Sequence, residues 1–417
     1  MKAPLTTITP EISIANAERI TLRNGLSLYI LSAEEFEILR LSIVFRAGSA
    51  SQRVPFSASA TANLLAEGSE RMSAQAISEA LDYHGSYFDV NIDRDYAYIN
   101  FAMLSKFVEP TLDVAAEILL HPTFPEEEVA TYCAKRKQRL EIDRTKVDVR
   151  AREAFAEAMF GPAHPYGQRF DEAAYDALHR ADIEEFYHRH YTADNGFAVC
   201  SGRVTEQERQ IIIHLLEQLP VGSTPYRNTL PAPQQQHEVR LAHNGAVQSS
   251  IRIGRLLFGR EHPDFLGMQV VAAALGGYFG SRLMQNLRER NGFTYGVISA
   301  MVNFAHAGYL AIATQVGTEV TEAALREIYA EIERLRTEPM AEEELQLVKN
   351  IMTGEMMRIL DGPFGVADVT IENILCGHKN SIIAENVARI RAITPAEVQQ
   401  LAARYLTREE LITVVVG

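Results

Sequence analysis

The sequence predicts an α+β protein of two similarly built halves, each a mainly antiparallel sheet covered by helices. Three observations lead there. Short alternating strands and helix-period stretches follow one another through the first half. A proline-rich polar segment then interrupts the chain near its middle, and two motifs of the first half return beyond it at almost one spacing. His121-Pro-Thr-Phe-Pro-Glu-Glu-Glu128-Val129, which opens an amphipathic helix, is echoed by Arg336-Thr-Glu-Pro-Met-Ala-Glu-Glu-Glu344-Leu345, an offset of 344 − 128 = 216. Leu178-His-Arg-Ala-Asp-Ile183, leading to Tyr191 and a closing strand, is echoed by Ile393-Thr-Pro-Ala-Glu-Val398, leading to Tyr405 and a strand over 411–416, an offset of 398 − 183 = 215. Two copies of a unit of about two hundred residues fit this better than a solenoid, which needs more and shorter repeats.

The first element is a hairpin: Ile20-Thr21-Leu22 and Leu26-Ser27-Leu28-Tyr29-Ile30 flank Asn24-Gly25, a dipeptide suited to the positive φ of a tight turn. Strands are expected at 39–47, 87–92 and 96–101, the last two joined around Asp93-Arg94-Asp95. Helices at 57–67, 73–83, 108–120 and 126–146 repeat apolar residues three and four apart, as in Val108, Leu112, Ala115, Ala116 and Leu119. A helix at 182–191 and a strand at 197–200 close the half. The segment 220–236 carries Pro220, Pro225, Pro231 and Pro233 among polar residues and sustains neither ladder, so it reads as an extended linker between domains at 1–219 and 237–417.

Composition excludes several functions. Lys and Arg number 40 against 54 Asp and Glu, a formal charge of −14 with no basic block, and such a field repels nucleic acid and anionic membrane. Cys133, Cys200 and Cys376 are far apart and show no CxxC spacing, which suits a reducing compartment. Pro4, Pro10, Glu11 and Glu18 stand where a signal peptide needs an apolar run, and no run is long enough to span a bilayer. The expectation is a soluble, cytoplasmic protein. None of the 12 histidines has a partner four residues away, and His188 and His190, two apart on a helix, read as solvated surface residues.

Several segments in this order resemble the pitrilysin/insulinase family of zinc peptidases, M16, over almost the whole chain. In the first half they are Asn24-Gly25-Leu26, Arg46-Ala47-Gly48-Ser49, Glu67-Gly68-Ser69 leading to Ser73-Ala74-Gln75-Ala76-Ile77, His164-Pro165-Tyr166-Gly167 and Tyr191-Thr-Ala-Asp-Asn195. The second half adds Leu275-Gly276-Gly277-Tyr278-Phe279-Gly280-Ser281-Arg282-Leu283 and Leu287-Arg288-Glu289-Arg290-Asn291-Gly292-Phe293-Thr294-Tyr295. The resemblance implies a LuxS/MPP-like metallohydrolase fold, with two such shells facing each other around a chamber.

Active members of the family carry His-x-x-Glu-His on a first-half helix, where two imidazoles four residues apart hold zinc and the Glu acts as general base. Counting back from Gly68-Ser69 places those five positions at Ser59-Ala60-Thr61-Ala62-Asn63, with neither imidazole nor carboxylate. The degenerate positions are thus Ser59, Ala62 and Asn63, and the count puts the third ligand, a Glu in the family, at Arg139, with Glu141 nearby. A guanidinium there repels a dication. No cofactor is therefore expected on this chain, and zinc belongs to a partner.

A second pair is retained. The resemblance implies that Arg288 and Tyr295, 295 − 288 = 7 positions apart, reach a peptide carbonyl under attack. Both side chains can donate hydrogen bonds to the negative charge that amide hydrolysis builds on that oxygen. Residues 281–290 read as a helix with Asn291-Gly292 as its left-handed stop, and a strand is expected from 293. On composition alone, Arg288 would complement the helix dipole and Tyr295 would lie half-buried in the sheet. The segment Gly276-Gly277-Tyr278-Phe279-Gly280 follows a helix and lacks a Gly-Lys-Ser/Thr ending, so it is no nucleotide loop. By resemblance it forms a flexible turn at the chamber wall, with Tyr278 and Phe279 either offering apolar contact to a peptide or serving ordinary packing. The expected role is the non-zinc subunit of a heteromeric metallopeptidase, pairing with a zinc-bearing M16 chain and gripping unfolded peptide. A catalytically idle scaffold and a peptide-binding homodimer are the alternatives.

Overall fold

The structure, a computed structural model, describes residues 12–222 and 230–417. The first sheet contains β1 (Glu18–Thr21), β2 (Ser27–Ser32), β3 (Ile38–Phe45), β4 (Tyr87–Ile92), β5 (Ala97–Leu104) and β6 (Gly196–Gly202), in the order β1-β2-β6-β3-β5-β4. The second contains β7 (Glu238–Leu241), β8 (Gln248–Leu257), β9 (Val297–Asn303), β10 (Gly308–Gly317) and β11 (Ile412–Val416), in the order β7-β11-β8-β10-β9. Each sheet has a single parallel pair, β2 with β6 and β7 with β11, and is otherwise antiparallel. β4 and β9 therefore occupy equivalent free edges.

The first-half helices are α1 (Ser57–Leu64), α2 (Ala74–His84), α3 (Val108–Leu120), α4 (Glu126–Asp143), α5 (Val147–Phe160), α6 (Arg180–His190) and α7 (Glu206–Glu217). Those of the second are α8 (Phe265–Gly276), α9 (Thr321–Thr337), α10 (Glu342–Ile359), α11 (Gly362–Leu375), α12 (Ile382–Ala392) and α13 (Pro395–Tyr405), with a π-helix over Met284–Arg290. The returning motifs lie where the offsets require: Glu-Glu-Glu opens both α4 and α10, as acidic first turns that complement the helix dipole.

Each half has its own core. Leu39, Leu41, Ile43 and Phe45 of β3, all fully buried, pack with Leu112, Ile118 and Ile183 of α3 and α6 in the first. Ile253, Leu310 and Ile312 pack with Leu275, Ile328 and Val398 of α8, α9 and α13 in the second. The opposite face of each sheet is covered by a helix from the other half. Ala151, Ala154, Phe155 and Ala158 of α5 pack on Ile412, Val414 and Val416, while Ala367 and Ile371 of α11 pack on Val44, Phe197 and Val199. Burial on both faces explains why β6 and β11 read as continuous apolar runs rather than alternating ones.

A further contact, at Asp95, ties the halves together through the Ala305 amide. Asp95, in the β4–β5 turn, accepts hydrogen bonds from Tyr166 Oη at 2.5 Å and from the Ala305 amide of the β9–β10 turn at 2.8 Å. Of the expected linker, residues 223–229 lie outside the described residues. Residues 230–236 run without helix or strand, and the Gln234 and Gln236 amides donate to the Phe160 and Ala158 carbonyls at the end of α5.

Candidate functional site

Arg288 lies on the π-helix, whose wide turns show in the Asn291 amide donating to the Asn286 carbonyl, five residues back, at 3.1 Å. Asn286 is 3% exposed and anchors that turn: its Nδ2 donates to Glu327 at 2.9 Å and Glu331 at 2.7 Å, both on α9. The turn ends at Gly292, with φ +64, a left-handed value that favours glycine, as the sequence suggested. The strand that follows starts at Val297 and not at 293. Between them Thr294 Oγ1 accepts from the Gly296 amide and donates to its carbonyl, while Thr314 Oγ1 donates to Thr294 Oγ1 at 2.9 Å. This knot delays the strand and projects Tyr295 outward, 90% exposed, where a position in the sheet would have half-buried it.

The Arg288 guanidinium carbon lies 5.0 Å from the Tyr295 ring centroid and 4.6 Å from that of Phe279. Both distances are those of cation–π contacts. Among the described residues Arg288 has one ionic neighbour, Glu289, with Nε 3.5 Å from Oε1. Neither the guanidinium nor the Tyr295 hydroxyl hydrogen-bonds another described residue. Two donors, seven residues apart in sequence, thus stand side by side with their N–H and O–H groups open to an external acceptor.

The glycine segment beside them is shaped by packing. A Cβ on Gly276 would lie 2.7 Å from the Ser299 amide of β9, and one on Gly277 would lie 2.5 Å from Ala273 Cα. Only glycine lets α8 end so close to the strand. Tyr278 turns inward against the second core, Gly280 lies beneath its ring, and Phe279 points out, 62% exposed.

The other expected site is built by α1 and α4. Phe56, at φ +66, turns the chain into α1, and Ser59 Oγ donates to its carbonyl at 3.0 Å. Asn63 Nδ2 donates back to the Ser59 carbonyl at 2.7 Å, and its Oδ1 accepts from Arg136 Nη2 of α4 at 2.9 Å. The Arg136 guanidinium also lies 5.2 Å from the ring of Tyr132, whose hydroxyl pKa is raised by burial. Arg139 lines the same cleft, of about 420 Å³, but its side chain pairs with Asp143 at 2.9 Å. The residue facing α1 is therefore Arg136, three positions before the expected one. Glu67 and Glu128 also line the cleft, and burial, then the Glu128 charge, raises the Glu67 pKa against the pull of Lys135.

A hydroxyl, an amide and a guanidinium do not suit zinc, which takes imidazole, thiolate and carboxylate. Ala62, where the general base would stand, is fully buried. Among the described residues no three His, Cys, Asp or Glu side chains gather so as to hold a metal. The surface reading of the two α6 histidines holds for His188 alone. His190 is 1% exposed, and burial, reinforced by the Arg189 and Arg53 charges, lowers its pKa to about 4.

Between the halves lies a cleft of about 1100 Å³, with Asp89, Asn91 and Asn100 of the first sheet on one side and Phe265, Met352 and Ile383 of α8, α10 and α12 on the other. Among the described residues no helix is long and apolar enough to cross a membrane.

Known proteins match this arrangement along nearly its whole length. Residues 40–164 match the model of insulinase (peptidase family M16), and residues 177–352 that of the peptidase M16 inactive domain. An uncharacterized zinc protease of Streptomyces coelicolor is 22% identical over 98% of this chain and 92% of its own length. The uncharacterized zinc protease YmxG of Bacillus subtilis is 21% identical over 84% of this chain and 85% of its own. Among solved structures, a peptidase M16 inactive domain from Pseudomonas fluorescens superposes with a TM-score of 0.87 at 22% identity, covering 97% of this chain and 98% of that one. A chain of complex III2 from Candida albicans superposes at 0.78 and 16% identity, covering 96% of each. With two family models covering most of the chain in the order the two sheets dictate, the protein belongs to the M16 peptidase family.

Proposed function

We propose that this chain is the zinc-free subunit of a two-chain M16 peptidase, in which Arg288 and Tyr295 complete the site of a partner carrying His-x-x-Glu-His. The observation that carries this reading is the adjacency of two donors, Arg288 half-buried and Tyr295 exposed, that hydrogen-bond no described residue. Amide hydrolysis concentrates negative charge on one oxygen, and donors already aimed at it lower the barrier without reorganising at the moment of reaction. The substrate is unfolded peptide, which can add as a strand to a free sheet edge such as β4 or β9 and so be chosen by extension more than by sequence. The complex is cytoplasmic, a reading supported by three unpaired cysteines, as suits a reducing compartment.

The shared fold with a chain of complex III2 favours a second reading, in which the chain is an idle scaffold. Copurification with a zinc-bearing M16 chain and a peptide-cleavage assay separate the two. Cleavage by the mixture and by neither chain alone is expected. Cleavage by the partner alone at the full rate would leave this chain a scaffold, and peptide binding without any partner would favour the homodimer.

A further inference from the structure

We infer that Phe279 is a positioning residue, holding the Arg288 guanidinium against Tyr295 so that its donors face a bound peptide. The inference rests on the reading of Arg288 as a donor to the reacting carbonyl, and assigns the glycine segment a task in that same site.

Three features converge on it. Phe279 is 62% exposed and takes no part in either core, although its neighbour Tyr278 packs into the second, so hydrophobic burial does not account for where its ring lies. What it touches is the cation: the guanidinium carbon is 4.6 Å from its centroid, closer than the 5.0 Å to Tyr295. Finally, the backbone bearing it is held on one side by the tight approach of Gly276 to Ser299 and of Gly277 to Ala273, so the ring projects from a fixed support. A long arginine side chain at a surface otherwise samples many rotamers. Two rings contacting one guanidinium restrict it while leaving the N–H groups, which lie in its plane, free to donate. Phenylalanine has no donor of its own, so its contribution is confined to placing Arg288.

The test uses Phe279→Leu, which keeps bulk and removes the π face, and Phe279→Tyr, which keeps the face. In the isolated chain with isotope-labelled arginine, Arg288 is assigned by its loss in Arg288→Lys. Its side-chain resonances should move away from ring-current-shifted positions in Phe279→Leu and stay in Phe279→Tyr. In the mixed complex, Phe279→Leu should lower kcat about fivefold, the scale of an exposed cation–π contact, with KM unchanged, and Phe279→Tyr should restore it. The thermal midpoint should be the same in all three proteins, since the ring is exposed. If Phe279→Leu leaves the Arg288 resonances in place, the inference is overturned. It is overturned equally if Phe279→Leu leaves kcat intact where Arg288→Ala lowers it, and the donor reading then survives. If Arg288→Ala has no effect on kcat, the donor reading fails, and the resonances alone decide whether Phe279 positions the guanidinium.

Discussion

Of the arginine–tyrosine contacts among the described residues, two, one in each half, have nearly the same separation and opposite surroundings. Arg136 lies 5.2 Å from the ring of Tyr132, and Arg288 lies 5.0 Å from that of Tyr295. In the first half the guanidinium donates to Asn63, the tyrosine hydroxyl is pushed up by burial, and the pair fastens α4 to α1. In the second half the guanidinium donates to no described residue, and the tyrosine is 90% exposed. A cation over a ring is therefore no sign of function in itself. What separates the two is whether the guanidinium is already committed inside the fold and whether the tyrosine hydroxyl is reachable from outside.

The largest expected effect tests the open contact. In the complex with a zinc-bearing partner, Tyr295→Phe should lower kcat by roughly ten- to a thousand-fold and leave KM and assembly nearly unchanged, because a transition-state donor acts on rate. Arg288→Ala should act similarly. Steady-state kinetics with unchanged kcat in both variants would erase the distinction and make both contacts structural.

The next effect belongs to the first half, where α6 is tied to α1 by Thr61 Oγ1 donating to the Ile183 carbonyl. With the native pKa of His190 near 4 and the unfolded value near 6.5, the unfolded chain binds the extra proton between those limits. Stability is then full above about pH 6.5 and falls as pH drops toward 4, by at most about 1.4 kcal/mol per pH unit. Denaturant titrations of His190→Gln should show a shallower acid slope than the parent. An equal slope would mean that other groups govern it.

Smaller still, Arg136→Met should cost about 1 kcal/mol in denaturant unfolding and change the kcat of the complex less than about twofold, as for a partly exposed structural contact. A large kcat loss would break the comparison from the other side. The smallest expected effect is none. Ser59→His, Ala62→Glu and Asn63→His together should bind zinc more weakly than about 1 μM by calorimetry, since the Arg136 guanidinium occupies the face of α4 that meets Asn63. Micromolar or tighter binding would show that a nearby carboxylate, such as Glu67 or Glu128, can displace the guanidinium.

Much of the fold was legible because periodicity reports burial. The strand over 87–92 and the helix over 108–120 lie where the pattern placed them. Residues 147–160 were not legible: Val147-Asp-Val-Arg-Ala-Arg-Glu-Ala-Phe-Ala-Glu-Ala-Met-Phe160 is rich in alanine, and its apolar contrast is too shallow to announce a helix. Only the second sheet, against which α5 packs, makes sense of it. The early end of α4 and the late start of β9 are similar cases, since terminal residues respond to neighbours that no local window contains.

For the site, the spacing of Arg288 and Tyr295, the glycine stop between them and the absence of paired histidines are local features, expressed within a turn or two of chain, and the residues alone established them. The contacts that give them meaning are long-range. Arg136 meets Asn63 across 73 residues, and Tyr295 is exposed because Thr314 of the neighbouring strand, 20 residues from Thr294, completes the knot beneath it. Phe279 reaches Arg288 because α8 ends where Gly276 touches β9. A residue's type and spacing state which bonds it can form; which of them are already taken inside the protein depends on what folding brings beside it, and that was settled by the tertiary structure.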